Sequence, residues 1–266
     1  MKIYHNFDLT NYNSFRLSSI AKVAYFPESI CDLRYILSCN QKYPILADGT
    51  NVLLSPQIDK IICLLLMPIV FNKQTNRLSV TANVKLQSLV SYSISKSLSG
   101  FEELWGIPGS IGGAVMGNAG SGKSEISDNL YCVKTINHYG QIKTYFKQQL
   151  NFRRRYCLLS KLNEIIIQVW FDIPKGQTDK IKLNKAKKWR KSLSTQPSAG
   201  GIFKQWHALK PFENKLRALK LNNVSFTNHI NILVNNGNAT YFDVIDAIEK
   251  IQNIVGTTLI LEVKIL

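Results

Sequence analysis

Glycine clustering is the sequence feature that most constrains what this chain can fold into. Eight of its fifteen glycines lie between Gly100 and Gly122. Because glycine loses more backbone freedom on folding than any other residue, this density inside an otherwise apolar stretch is costly. It is expected where backbone must lie against a flat or bulky ligand, although tight turns between short strands also require glycine. The density and the spacing favour a ligand-binding segment.

A second candidate site follows a short apolar strand predicted from Pro44 to Ala47. The strand runs into the turn Asp48-Gly49-Thr50-Asn51. Such a turn directs several backbone N–H groups into one concavity, which suits a phosphate. An ordinary strand-to-loop turn has the same composition, so the motif alone leaves both interpretations open.

Length and composition indicate a globular protein of one or two domains. The chain has 266 residues, of which 45% are hydrophobic and 19% charged, enough for a sizeable core. The polar and aromatic start, Met1 to Asn13, does not resemble a secretory signal. The longest apolar run, Ile61 to Val70, contains Pro68 and is too short to span a bilayer. We therefore expect a cytoplasmic protein with no membrane partner.

Cysteine and histidine usage argues against a metal centre. The five cysteines are odd in number and form no CxxC pair, which disfavours zinc and disulfide frameworks and suits a reducing compartment. The four histidines form no set with metal-ligand spacing. We predict no metal site.

The net charge of +16 restricts the kinds of partner. Such a field attracts nucleic acid, acidic membrane or anionic small molecules. The basic residues cluster at Arg153 to Arg155 and from Lys180 to Lys191, and the second run is typical of a solvated helix face. One hypothesis is a nucleic-acid-binding protein, and it predicts strongly salt-dependent binding. We expect anionic small molecules and no nucleic acid.

The order of predicted elements is typical of an α+β protein. The predicted strands are Lys22–Phe26, Pro44–Ala47, Ile61–Leu66, Glu164–Ile173 and Thr258–Ile265, with a hairpin over Leu130–Phe146 that turns near Tyr139-Gly140. The predicted helices are one capped by Ser29 that carries Leu33, Ile36 and Leu37, then Leu86–Lys96, Lys180–Lys191, and one from Thr240 and Asp243 to Gly256. No GxGxxG stands between a strand and a helix, so a simple Rossmann unit is not predicted.

The glycine-rich segment is part of a series of motifs that resembles one protein family, the UDP-N-acetylenolpyruvoylglucosamine reductases. The matching motifs are Asn13-Ser14-Phe15-Arg16, Ala47 to Asn51, Gly100-Phe101-Glu102, Gly106-Ile107-Pro108-Gly109, Gly112-Gly113-Ala114, Asn118-Ala119-Gly120, Gln196 to Gln205, Val224-Ser225, His229, Ile232 to Asn235, Asn238-Ala239-Thr240 and Leu261 to Lys264. They follow the family's order over almost the whole chain, and the Gly-Ile-Pro-Gly segment is the most specific of them.

The resemblance implies a fold and a reaction. It implies a two-lobed FAD-binding domain of the vanillyl-alcohol-oxidase (PCMH) type over residues 1–175, with lobes of about 1–68 and 69–175. A smaller α+β substrate domain would span 176–266, and its last strand would return to the active site. NADPH would reduce noncovalent FAD, from which hydride would reach UDP-N-acetylglucosamine enolpyruvate. The product is UDP-N-acetylmuramate, a peptidoglycan precursor. A monomer is expected, and the preference for NADPH over NADH is left open.

The resemblance also implies which residues bind ligands. The predicted cofactor-binding residues are Ala47, Asp48, Gly49, Thr50, Asn51, Gly106, Ile107, Pro108, Gly109, Gly112, Gly113, Ala114, Asn118, Ala119 and Gly120. The predicted substrate-binding residues are Phe203, Lys204 and Gln205. An ordinary exposed lysine near a turn is an equally open interpretation of Lys204.

Three positions match the family's catalytic residues. Arg153 is the best match for the arginine that stabilises an enolate-like intermediate, and Arg154 and Arg155 leave the register open. Glu262 matches the catalytic glutamate. Gly201 stands where the family has its proton-donor serine, and glycine has no hydroxyl to donate. Because a general acid is worth about a hundredfold to ten-thousandfold in rate, the alternative is an FAD-binding family member with lost or altered catalysis.

Overall fold

The computed structural model describes residues 1–38, 42–67, 70–74, 76–174 and 176–266. The helices are α1 (Ile30–Ser38), α2 (Leu86–Ser95), α3 (Ile111–Met116), α4 (Leu159–Leu162), α5 (Lys180–Lys191), α6 (Glu213–Arg217) and α7 (Tyr241–Val255). The strands are β1 (Lys2–Asp8), β2 (Ile20–Phe26), β3 (Ile45–Leu46), β4 (Val52–Leu53), β5 (Gln57–Cys63), β6 (Phe71–Gln74), β7 (Arg77–Thr81), β8 (Gly120–Ser121), β9 (Ser124–Glu125), β10 (Leu130–Ile136), β11 (Ile142–Phe146), β12 (Ile165–Asp172), β13 (Val224–Phe226), β14 (Leu233–Asn235) and β15 (Lys264–Ile265). Mixed helix and strand content confirms the predicted α+β class.

Two sheets contain most of the strands. A five-stranded sheet has the order β11-β10-β12-β7-β6, and a four-stranded sheet has the order β1-β2-β5-β3. Every pair in the five-stranded sheet is antiparallel. Short parallel contacts join β3 with β5 and β15 with β4. The antiparallel sheet is unlike a doubly wound Rossmann sheet, in agreement with the missing glycine fingerprint.

The chain divides into two compact units. The first unit contains residues 1–3, 25–48 and 62–191, and the second contains residues 4–24, 49–61 and 192–266. This division differs from the predicted domains, because it places α5 with the first unit and residues 4–24 and 49–61 with the second. The N–H of Asp179, just before α5, donates to Glu102 Oε1 at 2.8 Å, and Leu183 and Ala186 of the helix are buried. Lys175, at the predicted boundary, and residues 68 and 69, between the predicted lobes, lie outside the described residues.

The core of the first unit lies between the five-stranded sheet and helices α2 and α3. Phe101 and Phe171 meet edge to face there, with ring centroids 5.6 Å apart. Complete burial of one such side chain contributes about 1.5–3 kcal/mol. The same core holds the glycine-rich segment in place, because the N–H of Ile111 donates to the carbonyl of Val84 at 2.8 Å.

Helix α7 organises the core of the second unit and ends as the sequence predicts. Its apolar face buries Val244, Ile248 and Ile251. Thr240 Oγ1 accepts from the N–H of Asp243 at 3.2 Å, and Asp243 Oδ2 accepts from the N–H of Thr240 at 2.8 Å. This reciprocal pair satisfies N–H groups at the helix start. Gly256 ends the helix with a φ of +72°, as expected for a left-handed C-cap.

Two of the predicted strands are wrong in extent. The strand predicted over Ile61–Leu66 ends at Cys63, and Leu64–Leu66 forms a 3₁₀ turn. Apolar composition predicted burial there, and burial does not distinguish a strand from a turn.

The strand predicted over Thr258–Ile265 is limited to β15 at its end. Leu261 forms only an isolated bridge with Phe203. The next N–H, that of Glu262, donates to the carbonyl of Ile202 at 2.7 Å, in a bend rather than a ladder. Glu262 therefore lies on an irregular segment, which differs from the predicted apolar strand.

Among the described residues, no helix combines the length and the apolar character that a membrane crossing requires.

Candidate functional site

The glycine-rich segment of the first unit has a fixed backbone shape. The N–H of Gly112 donates to the carbonyl of Ala82 at 2.7 Å. Ser110 Oγ accepts from the N–H of Gly113 at 3.3 Å and caps α3. Gly109 has a φ of +111°, a conformation that residues with a Cβ rarely adopt. These bonds hold the backbone of the segment in one conformation.

Close packing within the protein explains some of the glycines that the sequence assigns to ligand contact. A Cβ at Gly106 would lie 2.7 Å from Arg190 Cγ, and one at Gly112 would lie 2.8 Å from Ala82 Cβ. A Cβ at Gly113 would meet only a hydroxyl oxygen, 3.4 Å away. The density of glycines therefore reflects both tight packing and open backbone.

Asn118 is the residue of the segment whose surroundings most clearly fit a bound ligand. It is fully buried and has a φ of +43°. Its Nδ2 donates to Glu125 Oε2 at 2.6 Å and to the carbonyl of Arg153 at 3.0 Å. Its Oδ1 is buried and has no partner among the described residues. Because a buried acceptor is destabilising unless it is satisfied, this oxygen fits a ligand with N–H or O–H donors, such as the ring and ribityl chain of a flavin.

The three consecutive arginines occupy different environments. Arg153 and Arg154 are exposed, whereas Arg155 is half-buried. Arg155 Nη1 donates to the carbonyl of Asn118 at 3.2 Å, and its Nη2 donates to the carbonyl of Gly120 at 2.7 Å. Arg153 contributes its backbone carbonyl to Asn118 rather than its guanidinium. The sequence leaves the register open, and it is the guanidinium of Arg155 that contacts the glycine-rich segment.

The predicted phosphate-binding turn is also held by protein contacts. Asp48 Oδ1 accepts from Lys85 Nζ at 2.5 Å, and its Oδ2 is buried and unpartnered among the described residues. Gly49 has a φ of +64°, and a Cβ there would overlap the carbonyl oxygen of Tyr12. The backbone of Tyr12 therefore requires glycine at position 49. Ligand contact by this turn stays a prediction.

Gly201 and Glu262 face each other in the second unit. A Cβ at Gly201 would lie 3.6 Å from Glu262 Oε2 and 2.8 Å from Asn231 Nδ2. Asn231 is buried, and its amide donates to and accepts from the backbone of Phe203, both at 2.9 Å. Asn51 Nδ2 donates to the backbone carbonyl of Glu262 at 3.1 Å. The altered position therefore adjoins a carboxylate, and the Asn231 amide partly fills the space that a side chain would need.

The three predicted substrate-binding residues differ in accessibility. Phe203 is fully buried in the core of the second unit. Gln205 Oε1 accepts from the N–H of Ile260 at 2.9 Å, so its side chain positions backbone. Lys204 is half-buried, and its N–H donates to the carbonyl of Ile260 at 2.9 Å. Lys204 is the one of the three whose side chain best fits a role in binding an anion.

His229 belongs to one of the matching motifs, but the sequence assigns it no role. Its Nδ1 accepts from the N–H of Asn231 at 3.3 Å, which places the proton of the neutral ring on Nε2. Its ring centroid lies 4.9 Å from that of Trp206. Burial is the main cause that lowers the pKa of His229. Burial therefore favours the neutral form of the ring.

Comparison with known proteins finds similarity over the length of the chain. A family model described as "FAD binding domain" matches residues 21–145. The UDP-N-acetylenolpyruvoylglucosamine reductase of Francisella tularensis is 33% identical over 262 aligned positions, and the alignment covers 92% of each chain. That of Caldanaerobacter subterraneus is 30% identical over 283 aligned positions, 99% of this chain and 93% of the relative. The crystal structure of the Thermus caldophilus reductase superposes with a TM-score of 0.82 at 24% identity, over 99% of this chain and 98% of that one. The sequence similarity to the first two reductases supports the family relationship, and the structural similarity to the Thermus caldophilus reductase supports the fold.

Proposed function

The chain belongs to the UDP-N-acetylenolpyruvoylglucosamine reductase family, and we propose that it reduces UDP-N-acetylglucosamine enolpyruvate to UDP-N-acetylmuramate with NADPH and bound FAD. The reaction contributes to peptidoglycan precursor synthesis. The observation that carries the proposal is the position of Gly201 beside Glu262. A Cβ added at Gly201 would lie 3.6 Å from Glu262 Oε2. Two positions far apart in sequence, both matched to the family's catalytic residues, meet at one point.

The residues of the first unit would hold FAD noncovalently. Asn118 Oδ1 offers a buried acceptor, and the open backbone at Gly113 allows close approach. The glycine-rich segment contains no histidine, which is consistent with noncovalent attachment. The chemistry that bound FAD supplies is hydride transfer, from NADPH and then to the enolpyruvyl double bond.

We assign the stabilisation of negative charge on the substrate to Arg155 rather than to Arg153. Two hydrogen bonds to backbone carbonyls fix the guanidinium of Arg155. A charge that is already oriented stabilises a developing anion without reorganisation, and the planar fork matches both oxygens of a carboxylate. Arg155→Lys should slow reduction of the double bond much more than Arg153→Lys does, measured as single-turnover rates.

Proton delivery must differ from the family pattern at position 201. Reduction of the double bond adds a hydride to one carbon and a proton to its neighbour. Gly201 has no side-chain proton, and the amide of Asn231 is not an acid. We propose that a water molecule held at Glu262 relays the proton of the Glu262 carboxyl group to the substrate carbon, which leaves Glu262 as a carboxylate. The rate of this step should then depend on Glu262 and on solvent deuterium.

An anaerobic visible spectrum of the purified protein tests the reaction. NADPH should bleach the flavin band, and UDP-N-acetylglucosamine enolpyruvate should restore it. Glu262→Gln should slow recovery without changing bleaching, because only the second step needs the carboxyl group. Bleaching without recovery in the unaltered protein would remove the assigned substrate. Absence of a flavin band after reconstitution with FAD would refute the proposal as a whole.

We also propose a cytoplasmic location. Cys31, Cys63, Cys132 and Cys157 are free thiols, which suits a reducing compartment. Cys39 lies outside the described residues. The monomeric state stays a prediction, and sedimentation velocity measures it.

A further inference from the structure

Helix α5 carries one basic side chain that a solvated helix face does not explain. Five lysines of the helix are exposed, whereas Lys187 and Arg190 are half-buried. The aliphatic stem of Arg190 lies against Gly106, with Arg190 Cγ 2.7 Å from the position of an added Cβ. Gly106 opens the Gly-Ile-Pro-Gly motif, so this arginine contacts the most specific segment of the chain.

The guanidinium of Arg190 has a donor that the protein does not satisfy. Its Nε is buried and has no hydrogen-bond partner among the described residues. A buried N–H without an acceptor is destabilising, and more so when it carries charge. The site around Arg190 therefore suits an acceptor supplied by a ligand.

The positive charge of Arg155 also affects Arg190. Burial is the main cause that lowers the pKa of Arg190, and the positive charge of Arg155 lowers it further. Arg155 is tied to the carbonyls of Asn118 and Gly120, at the far end of the same glycine-rich segment. Lys187, one turn before Arg190, lies with its Nζ 5.8 Å from the ring centroid of Trp105. Positive charge thus accumulates along one segment of the first unit.

We propose that Arg155 and Arg190 together form an oxyanion-binding site beside the glycine-rich segment, and that Arg190 is a ligand-binding residue of this protein. Two partly desolvated cations repel each other, and an oxyanion between them converts that repulsion into attraction. A guanidinium binds a phosphate or a carboxylate through two parallel N–H···O bonds. The ligand class is therefore a phosphate or carboxylate group.

Which molecule supplies the oxyanion is an inference that rests on the proposed function. FAD and the sugar nucleotide both contain a pyrophosphate, the sugar nucleotide also contains a carboxylate, and NADPH contains further phosphates. All these sources offer the same chemistry to the two guanidinium groups. Separate affinity measurements for each ligand distinguish them.

The test compares the holoenzyme with matched single variants. Arg190→Gln removes the guanidinium, and Lys188→Gln removes the same charge from an exposed position of the same helix. Release of FAD on dilution is followed by flavin fluorescence. Binding of NADPH, UDP-N-acetylglucosamine enolpyruvate and inorganic pyrophosphate is followed by the change in the flavin spectrum. Thermal melting establishes that each variant is folded.

Arg190→Gln should weaken at least one of these ligands about tenfold or more, as expected for the loss of a charged hydrogen bond. Lys188→Gln should change every affinity less than about twofold, since exposed charges contribute little. Arg155→Gln should weaken the same ligand, and the double variant should lose less than the product of the two single losses because the groups share one anion. The ligand that is affected identifies the source.

Affinities of Arg190→Gln that match those of Lys188→Gln for every ligand would overturn the proposal. So would losses from Arg155→Gln and Arg190→Gln that multiply independently or that concern different ligands. If Arg190→Gln does not fold, Arg190→Lys keeps the stem and the charge and should weaken the same ligand by a smaller factor. An unaltered protein that fails to reduce the sugar nucleotide, but whose FAD affinity depends on Arg190, would refute the proposed function and leave the oxyanion site standing.

Discussion

Replacement of Gly201 by serine should accelerate the step that the natural sequence leaves without a hydroxyl donor. Gly201 lies outside the left-handed region of backbone conformation, so a side chain there meets no backbone strain. The new Cβ would point toward Glu262 Oε2, 3.6 Å away. A hydroxyl in that position can pass its proton to the substrate and exchange it with the carboxyl group. We expect reoxidation of the flavin by the sugar nucleotide to become about a hundredfold to ten-thousandfold faster.

The same substitution should destabilise the second unit. Its Cβ would lie 2.8 Å from Asn231 Nδ2, closer than side chains tolerate, so the amide must shift. That amide makes two hydrogen bonds of 2.9 Å with the backbone of Phe203. Because each such bond contributes about 0.5–1.5 kcal/mol net, the free energy of unfolding should fall by about 1–3 kcal/mol. The melting temperature should fall by about 2–4 °C for each kcal/mol.

Anaerobic stopped-flow measurements separate the two half-reactions. Enzyme reduced with one equivalent of NADPH is mixed with UDP-N-acetylglucosamine enolpyruvate, and the return of the flavin band is recorded. Gly201→Ala is the matched control, since it introduces the same Cβ without a hydroxyl. It should share the loss of stability and gain no rate. Reduction by NADPH should be unchanged in both variants.

Equal reoxidation rates for Gly201→Ser and Gly201→Ala would refute the assignment of position 201 as the vacant donor position. An equal acceleration of the NADPH step would show that the hydroxyl acts on the flavin environment instead. Unaltered stability in both variants would contradict the close contact with Asn231.

Three further predictions concern stability and reactivity. Gly106→Ala and Gly256→Ala both place a Cβ at positive φ, which costs about 1–2 kcal/mol. Gly106→Ala should lower the free energy of unfolding more, because only its Cβ meets Arg190. Urea titration measures the difference. Asp243→Asn should lower the free energy of unfolding by about 0.3–1 kcal/mol at neutral pH, because it removes a negative charge from the first turn of α7 while its amide oxygen can still accept from the N–H of Thr240. Hydrogen bonding to the backbone N–H of Thr240 lowers the pKa of Asp243 from 3.8, so the stabilising contribution of the carboxylate is present above that value and is lost as the pH falls through the lower folded pKa. The variant should therefore show a weaker acid dependence of stability in urea titrations from pH 2 to 7. Burial raises the pKa of Cys63 to about 12, so iodoacetamide at pH 8 should leave it unmodified in the folded protein and alkylate it after unfolding in urea, as peptide mapping would reveal.

The local signals in the sequence predicted the regular elements well. Ser29 begins α1, as its side chain accepts from the N–H of Asp32 at 3.1 Å, and Lys180 to Lys191 is helical as predicted. The hairpin turns at Gly140, which has a φ of +74°. Capping residues, helical periodicity and turn glycines act over a few residues, so they can be recognised without knowledge of distant contacts.

Segments whose conformation depends on distant partners were predicted poorly. The apolar composition around Glu262 indicates burial and, by itself, suggests a strand. The structure instead bends this segment because its backbone bonds to Ile202 and to Asn51. Both partners are far from Glu262 in the chain, and no periodicity near residue 262 records them.

The sequence by itself determined the kind of protein, because motif order over the whole chain is a property of residue identity. It identified the glycine-rich segment, the matched carboxylate and the missing hydroxyl at position 201. Only the tertiary structure decided which of three adjacent arginines reaches the glycine-rich segment, that Asn231 fills the space beside Gly201, and that Arg190 has an unsatisfied buried donor. These facts depend on side-chain direction and on contacts between distant residues, and neither is encoded in the spacing of neighbours along the chain.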